Sequence, residues 1–272
     1  MSKNKKNNTK QQEDLSILPL KIDENKLGRV EKNILPDIPF LLLIVGRVKS
    51  GKTIIINNLA LSKRFYGDDF DSIIVISPTI YSDPVNKYLA EEATFTFEQY
   101  SDELIDQLIE IIEEDDSDNK FLLILDDIVG NVKFKRNTSK IDKLTELATK
   151  YRHMGNGEKE GKLSIIIATQ QFKFISPIMR LNASGYIIGG HQSPAELKAM
   201  SEEMSVFTKG NPKKFYEIFN RSKKDNYDFL YLSLKDMKAR RNFAEILNSD
   251  SEEDEGGEEE NPSENSEPNN EK

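Results

Sequence analysis

Six short runs of apolar residues, mostly β-branched or leucine, punctuate the chain: FLLLIVG (40–46), SIIVIS (72–77), FLLILDD (121–127), LSIIIATQ (163–170), GYIIGG (185–190) and FLYLSL (229–234). None alternates with polar positions, so none reads as a strand with one wet face. Uninterrupted runs of this kind fit strands buried on both faces of a parallel sheet. Between them the apolar spacing turns helical, at 53–64, 97–114, 139–153 and 193–204. Ser193-Pro194 followed by Glu196 has the form of a helix start, the serine capping and the proline in the first turn. Strand and helix in alternation predict a three-layer α/β domain with a mostly parallel central sheet.

The first run breaks into Gly46-Arg47-Val48-Lys49-Ser50-Gly51-Lys52-Thr53, which fits G-x-x-x-x-G-K-[ST]. The context agrees with a phosphate-binding loop, because a buried strand enters it and an amphipathic helix, TIIINNLALSKRF, leaves it. Backbone amides and the positive end of the helix dipole suit a phosphate, and the glycines let the backbone come close. In that arrangement Lys52 neutralises β/γ-phosphate charge and the Thr53 hydroxyl ligates Mg²⁺. ATP and Mg²⁺ are therefore the expected ligands, held by residues 46–53.

The third run ends in Asp126-Asp127. One carboxylate at such a strand tip lies near Mg²⁺, so Asp126 joins Thr53 as a metal ligand, and Asp127 beside it can orient or deprotonate an attacking water. The fourth run ends in Thr169-Gln170. In the P-loop class with an additional strand between the P-loop strand and the Asp-bearing strand, Gln170 stands beside the γ-phosphate, where a neutral amide senses phosphate or water. Arg152 and Arg180 bracket that strand, and an arginine reaching a site in trans could stabilise transition-state charge.

Charge refines the domain picture. The formal net charge is −9, but residues 250–272 hold eleven acidic residues and one lysine, a net −10, so the rest of the chain carries +1. Residues 249–272 have no apolar anchor and predict a disordered acidic tail, either solvating or else partner-binding or DNA-mimicking and self-inhibiting. Residues 1–30 are polar and rich in Asn and Lys and predict a flexible N-terminal arm. The ATPase domain then spans 31–248 and includes a basic segment, 209–241, with ten Lys/Arg against four Asp/Glu and interleaved Phe215, Tyr216, Phe219 and Tyr227. That segment is either a solvated helix face or a nucleic-acid-facing surface. There is no cysteine, and two distant histidines, His153 and His191, cannot alone cage zinc. No apolar run approaches the roughly 20 residues that span a bilayer, so an intracellular protein without a membrane partner is expected.

With GRVKSGKT, FLLILDD, YRH, LSIIIATQQ and MRLNAS in this order, the chain resembles the genome-packaging ATPases of large and giant DNA viruses and their virophages, poxvirus members included. These belong to the FtsK/HerA superfamily of DNA-pumping motors, and the likeness covers about residues 37–234. The resemblance implies a homo-oligomeric ring that uses ATP and Mg²⁺ to drive double-stranded DNA into a preformed capsid, with capsid or portal proteins as partners. The setting it implies is the host cytoplasm or viral factory, with virion association a further option. Carried over by position, Lys52 and Thr53 match the P-loop, Asp126 the Walker B carboxylate, Asp127 the catalytic acidic position, Gln170 the sensor and Arg152 the arginine before the sensor strand. Arg180 fills a basic position common after it. Two departures stand out: many relatives have Glu at the position of Asp127, and Arg47, Val48 and Lys49 are bulkier than a Gly/Ser-rich loop filling.

Two other readings stay open on the residues alone. A P-loop GTPase would carry an Asn-Lys-x-Asp guanine reader, which DNKF (118–121) does not complete, and a small-molecule kinase would carry an arginine-rich lid where this chain has FISPIMRLNAS. A nucleotide-gated DNA-binding or scaffold protein would use the basic segment without turnover.

Overall fold

The structure is a computed structural model and describes residues 34–128, 142–156, 159–190 and 192–248. The N-terminal arm, the acidic tail, His191 and the start of the helix expected from 139 lie outside the described residues. In chain order the strands are β1 (Leu41–Val45), β2 (Ser72–Ile76), β3 (Phe95–Phe97), β4 (Phe121–Asp126), the short pair β5 (Gly155–Asn156) and β6 (Lys159–Glu160), β7 (Leu163–Thr169), β8 (Gly185–Gly189), β9 (Phe229–Ser233), β10 (Lys238–Arg241) and β11 (Glu245–Ile246). The helices are α1 (Lys52–Leu61), α2 (Lys87–Glu92), α3 (Asp102–Glu114), α4 (Lys143–Lys150), α5 (Pro177–Leu181), α6 (Pro194–Glu203) and α7 (Pro212–Arg221).

All six apolar runs are strands of one nine-stranded sheet, ordered β11-β10-β9-β8-β1-β7-β4-β2-β3. From β8 to β3 neighbouring strands are parallel. β7 lies between β1 and β4, the position that an additional-strand P-loop sheet requires. The last run departs from expectation: β9 pairs antiparallel with β8, and β10 and β11 continue that antiparallel edge. Period-2 alternation of the pleat sends successive residues of β1 to opposite layers. Leu41, Leu43 and Val45 pack with Ile105, Leu108 and Ile112 of α3, Leu144 and Leu147 of α4 and Phe215 of α7. Leu42 and Ile44 pack with Ile55, Ile56 and Leu59 of α1, Leu89 of α2 and Phe243. The three layers are thus helices, sheet, helices.

Several local expectations change. The helix leaving the P-loop is not amphipathic: Lys52, Ile55, Ile56, Asn57, Asn58, Leu59 and Ala60 are all buried. Ile34, Leu35 and Ile38 pack in the same layer, and their segment is strapped down by Tyr231 Oη donating to Ile34 O (2.8 Å) and Tyr66 Oη to Pro36 O (2.6 Å). The two asparagines meet backbone acceptors, Asn57 at Val85 O (2.7 Å) and Asn58 at Ile54 O (2.9 Å). Phe97, assigned to a helix by its spacing, ends β3, and α3 starts only after Ser101 caps Leu104 N (3.1 Å). Ser193 caps Glu196 N (3.2 Å) with Pro194 in the first turn, as its sequence pattern predicts.

The basic segment contains α7, capped by Asn211 at Lys213 N (2.9 Å). Phe215 and Phe219 lie one turn apart on its buried face, so these two aromatics are core residues and not part of a nucleic-acid-facing surface. Arg240 is paired with Asp236, Arg241 with Glu245 (2.9 Å), Lys224 with Glu245 (3.2 Å) and Lys235 with Asp37 (2.7 Å), which removes at least four of the ten cations from any bare basic face. Lys213 and Lys214 remain exposed. No helix among the described residues is long and apolar enough to cross a membrane.

Ile166 sits at the centre of β7, fully buried against the α1 layer. Ile166→Ala is expected to cost about 2–5 kcal/mol, the range for such core truncations. Urea unfolding checks it: the midpoint falls while the slope with denaturant stays unchanged.

Candidate functional site

The C-terminal ends of the parallel strands converge on one edge of the sheet, and the P-loop grows from the end of β1. Gly46 N donates to Thr169 O of β7 (3.0 Å), which starts the loop against the neighbouring strand. Lys49 (φ 63°) and Gly51 (φ 86°) take the left-handed conformation that turns the chain back into α1, and Ile55 N then accepts the helix geometry by donating to Gly51 O (3.0 Å). Glycine adopts this conformation at little cost, whereas Lys49 does so at about 1–2 kcal/mol.

The bulky filling does not obstruct the loop. Arg47, Val48 and Lys49 are exposed, Val48 at 66%, whereas Ser50 is buried. Ser50 fills a space made by glycines on two strand ends. A Cβ on Gly46 would lie 2.3 Å from Ser50 Oγ, and one on Gly190 (φ 66°), just past β8, would lie 2.9 Å from Ser50 Cβ.

Lys52 is buried at 8% exposure, and its ammonium donates to Gly46 O (2.9 Å) and Arg47 O (3.3 Å) with Asp127 Oδ2 at 4.0 Å. Asp127 follows β4 in a left-handed conformation (φ 52°), its amide donating to Ala168 O of β7 (3.0 Å). Gln170, one residue beyond β7, donates through Nε2 to Asp127 Oδ2 (3.2 Å). Lys52 at the start of α1, Asp127 after β4 and Gln170 after β7 therefore meet at one oxygen. Thr53 follows Lys52 in the first turn of α1, half-buried.

Asp126 is 6% exposed, and its Oδ1 has no hydrogen-bond partner. Burial pushes its carboxyl up to about 7; the charges of Asp127 and Asp83 push the same way and Lys52 opposes them. Asp83 went unnoticed in the sequence. It caps the turn after β2 by accepting from Val85 N (2.9 Å), and the Asn57 bond to Val85 O ties that turn to α1. Its only sequence signal is an Asp-Pro dipeptide following a strand, which reads as a turn.

A buried carboxylate oxygen without a partner fits a cation. Among the described residues no cluster of three or more His, Cys, Asp or Glu is arranged to hold a metal. Mg²⁺ is bound through one or two protein groups together with substrate phosphates, so the Asp126 oxygen is a donor of the kind it takes.

The two arginines lie elsewhere. Arg152 precedes β7, at the opposite end of the sheet from the P-loop, where its Nε donates to Tyr151 Oη (2.9 Å) and it lines a small recess with Pro36, Asp37 and Ser184. Arg180, on α5, is paired with Glu203 (2.8 Å), donates to Ile175 O (2.8 Å), and lies over the Phe172 ring (4.6 Å). These contacts brace the turn that follows Gln170. Neither arginine joins the group around Asp127 within this chain.

The family model for the Poxvirus A32 protein matches residues 28–240. The chain belongs to the Poxvirus A32 protein family. Among solved structures it is similar to the genome packaging NTPase B204 from Sulfolobus turreted icosahedral virus 2. The complex with AMP shares 18% identity over 76% of this chain and 98% of that one, with a TM-score of 0.55. The complex with ATP-gammaS shares 17% over 78% and 100%, with a TM-score of 0.53. The DNA-packaging ATPase B204 from Sulfolobus Turreted Icosahedral Virus shares 17% over 75% and 98%, with a TM-score of 0.55. At such identities the likeness is one of fold. No curated protein matches the chain significantly in sequence. The resemblance to viral packaging ATPases thus holds at the level of family and fold for this A32 family member.

Asp126 also predicts a pH dependence. Its carboxyl titrates near 7 in the folded chain and near 3.9 when unfolded, so the folded state binds the proton more tightly. The stability this contributes is fully present below about pH 4 and is lost as the pH rises through 7. Asp126→Asn is therefore expected to stabilise the nucleotide-free chain by a margin that grows between about pH 4 and pH 7 and then levels off. Calorimetric Tm values of both proteins across that range, in the presence of a chelator, check it.

Proposed function

We propose that this A32 family member is an ATPase that packages a viral genome by translocating double-stranded DNA. The observation that carries the reading is the meeting of Lys52, Asp127 and Gln170 at one carboxylate oxygen beside the P-loop, with the buried, unpartnered Asp126 next to it. A strand-tip amide bonded to a strand-tip carboxylate serves a site that must orient a water toward a γ-phosphate and register its loss. The family assignment and the packaging NTPase fold support the coupling to DNA, and the AMP and ATP-gammaS complexes of B204 support nucleotide as the ligand.

In this reading amides of residues 46–53 cradle the phosphates, and Lys52 turns from the loop carbonyls to the β/γ-phosphates. Thr53 and Asp126 hold Mg²⁺, which when bound neutralises phosphate charge. Asp127 accepts the proton of the attacking water, and Gln170, already bonded to Asp127, positions that water. Arg152 stands at the far end of the sheet, so any part it takes is in the site of a neighbouring subunit in a ring. Arg180 supports the loop that carries Gln170. The capsid or portal is the partner that receives the DNA, and the viral factory is the setting.

Hydrolysis assays with and without double-stranded DNA test the reading. The wild-type chain is expected to hydrolyse ATP faster with DNA, and Lys52→Ala to lose both binding and hydrolysis. Asp127→Asn should keep ATP binding while kcat falls by about 10²–10⁴-fold, the usual weight of a positioned base. If double-stranded DNA gives no stimulation at any salt concentration, the translocase reading fails; phosphate transfer to a nucleoside monophosphate would point to a kinase.

A further inference from the structure

Tyr227 is a large, exposed side chain beside the P-loop. It stands in the turn between α7 and β9. β9 runs antiparallel to β8 with Phe229 opposite Gly189, so the start of β9 lies at the same end of the sheet as the P-loop. A Cβ on Gly51 would be 3.6 Å from Tyr227 Cδ1, yet Tyr227 is 67% exposed. A ring so exposed adds little to the core, and still the turn carrying it is firmly built. Asp228 Oδ2 accepts from Lys224 N (3.1 Å) and Asp225 N (3.0 Å), and its Oδ1 accepts from Asn242 Nδ2 (2.9 Å).

The sheet order gives the ring a direction. Asp126, Asp127 and Gln170 stand at the ends of β4 and β7, on one side of β1, while β8 and β9 lie on the other. A triphosphate with its γ-group beside Asp127 and Gln170, and its inner phosphates on the amides at the start of α1, leads its nucleoside toward the β8 and β9 side. The aromatic face met there is Tyr227. The ring stands next to Gly51, at the start of α1, within van der Waals reach of where a Cβ there would be.

We propose that Tyr227 is the platform on which the base of the bound nucleotide stacks. The proposal rests on the reading of residues 46–53 as a nucleotide site. Stacking of a base on an aromatic ring needs the face of the ring and not its hydroxyl, and its loss on alanine substitution corresponds to about 5- to 150-fold in affinity.

Titration calorimetry of the full chain with ATP and, separately, with inorganic tripolyphosphate, which has no base, tests it. Tyr227→Ala is expected to weaken ATP binding by about tenfold within that range and to leave tripolyphosphate binding unchanged, while Tyr227→Phe binds both as the wild type does. The proposal is overturned if Tyr227→Ala binds ATP as tightly as the wild type. It is also overturned if ATP and tripolyphosphate weaken equally, since the substitution then disturbs the loop and not the base. Failure of the underlying reading looks different: the wild type binds neither ligand, or Lys52→Ala binds ATP unchanged.

Discussion

Two hydrogen bonds to consecutive carbonyls organise this molecule: Gly46 N to Thr169 O and Asp127 N to Ala168 O, both 3.0 Å. Each is worth only about 1 kcal/mol net. Their importance is geometric, because they fasten Gly46, where the loop begins, and Asp127, just past β4, to the tip of one strand, β7. Since β7 is inserted between β1 and β4, its own next residue, Gln170, emerges between the two. The left-handed turn at Asp127 then directs its carboxylate toward both Lys52 and Gln170. If β7 slipped by one residue, its inward and outward side chains would exchange layers and these pairings would be lost together.

The site so assembled is costly to the folded chain by itself. Asp126 is buried with an unpartnered oxygen, Asp127 and Asp83 add like charge, and burial drives the Asp126 carboxyl toward neutrality. Ser50 Oγ is a second buried atom without a partner, a few bonds from the loop amides. Such conflicts are rare in a core and concentrate where a ligand completes the arrangement. The surrounding scaffold contrasts with this. Both faces of β1 are packed on apolar layers, and seven of the ten residues of α1, the helix that would face the phosphates, are buried.

What could be read in the sequence follows from the range of the interactions that decide each feature. The buried strands were legible because no polar alternation interrupts them, and the P-loop because strand, turn and helix chemistry coincide within fourteen residues. The burial of α1 was not, since α2 and the turn at Val85, some thirty residues further on, pack against it. Phe215 and Phe219 were legible in principle: they are one helical turn apart behind Asn211-Pro212, a helix start, although the charge of the segment masks that period. Arg152 shows a different limit. It is near β7 in sequence, but it precedes the strand while the site follows it, and seven residues at about 3.3 Å each separate the two ends.

The loop filling Arg47-Val48-Lys49 illustrates how a rule about residues becomes one about space. A P-loop needs a backbone that can approach phosphate and a tight turn into the helix, and small residues are the usual means. Here the three bulky side chains point into solvent and the one inward-facing residue is a serine. The room that serine needs comes from glycines at the ends of two other segments, Gly46 closing β1 and Gly190 following β8, where a Cβ would collide with it. The constraint thus falls on the strand ends and not on the loop tip, which leaves Arg47 and Val48 on a groove of about 520 Å³ shared with Gln170, Gln192 and Glu196. The tip of the loop is therefore free of the steric demands of the fold, and its side chains line the outer wall of the candidate site next to the Gln170 amide.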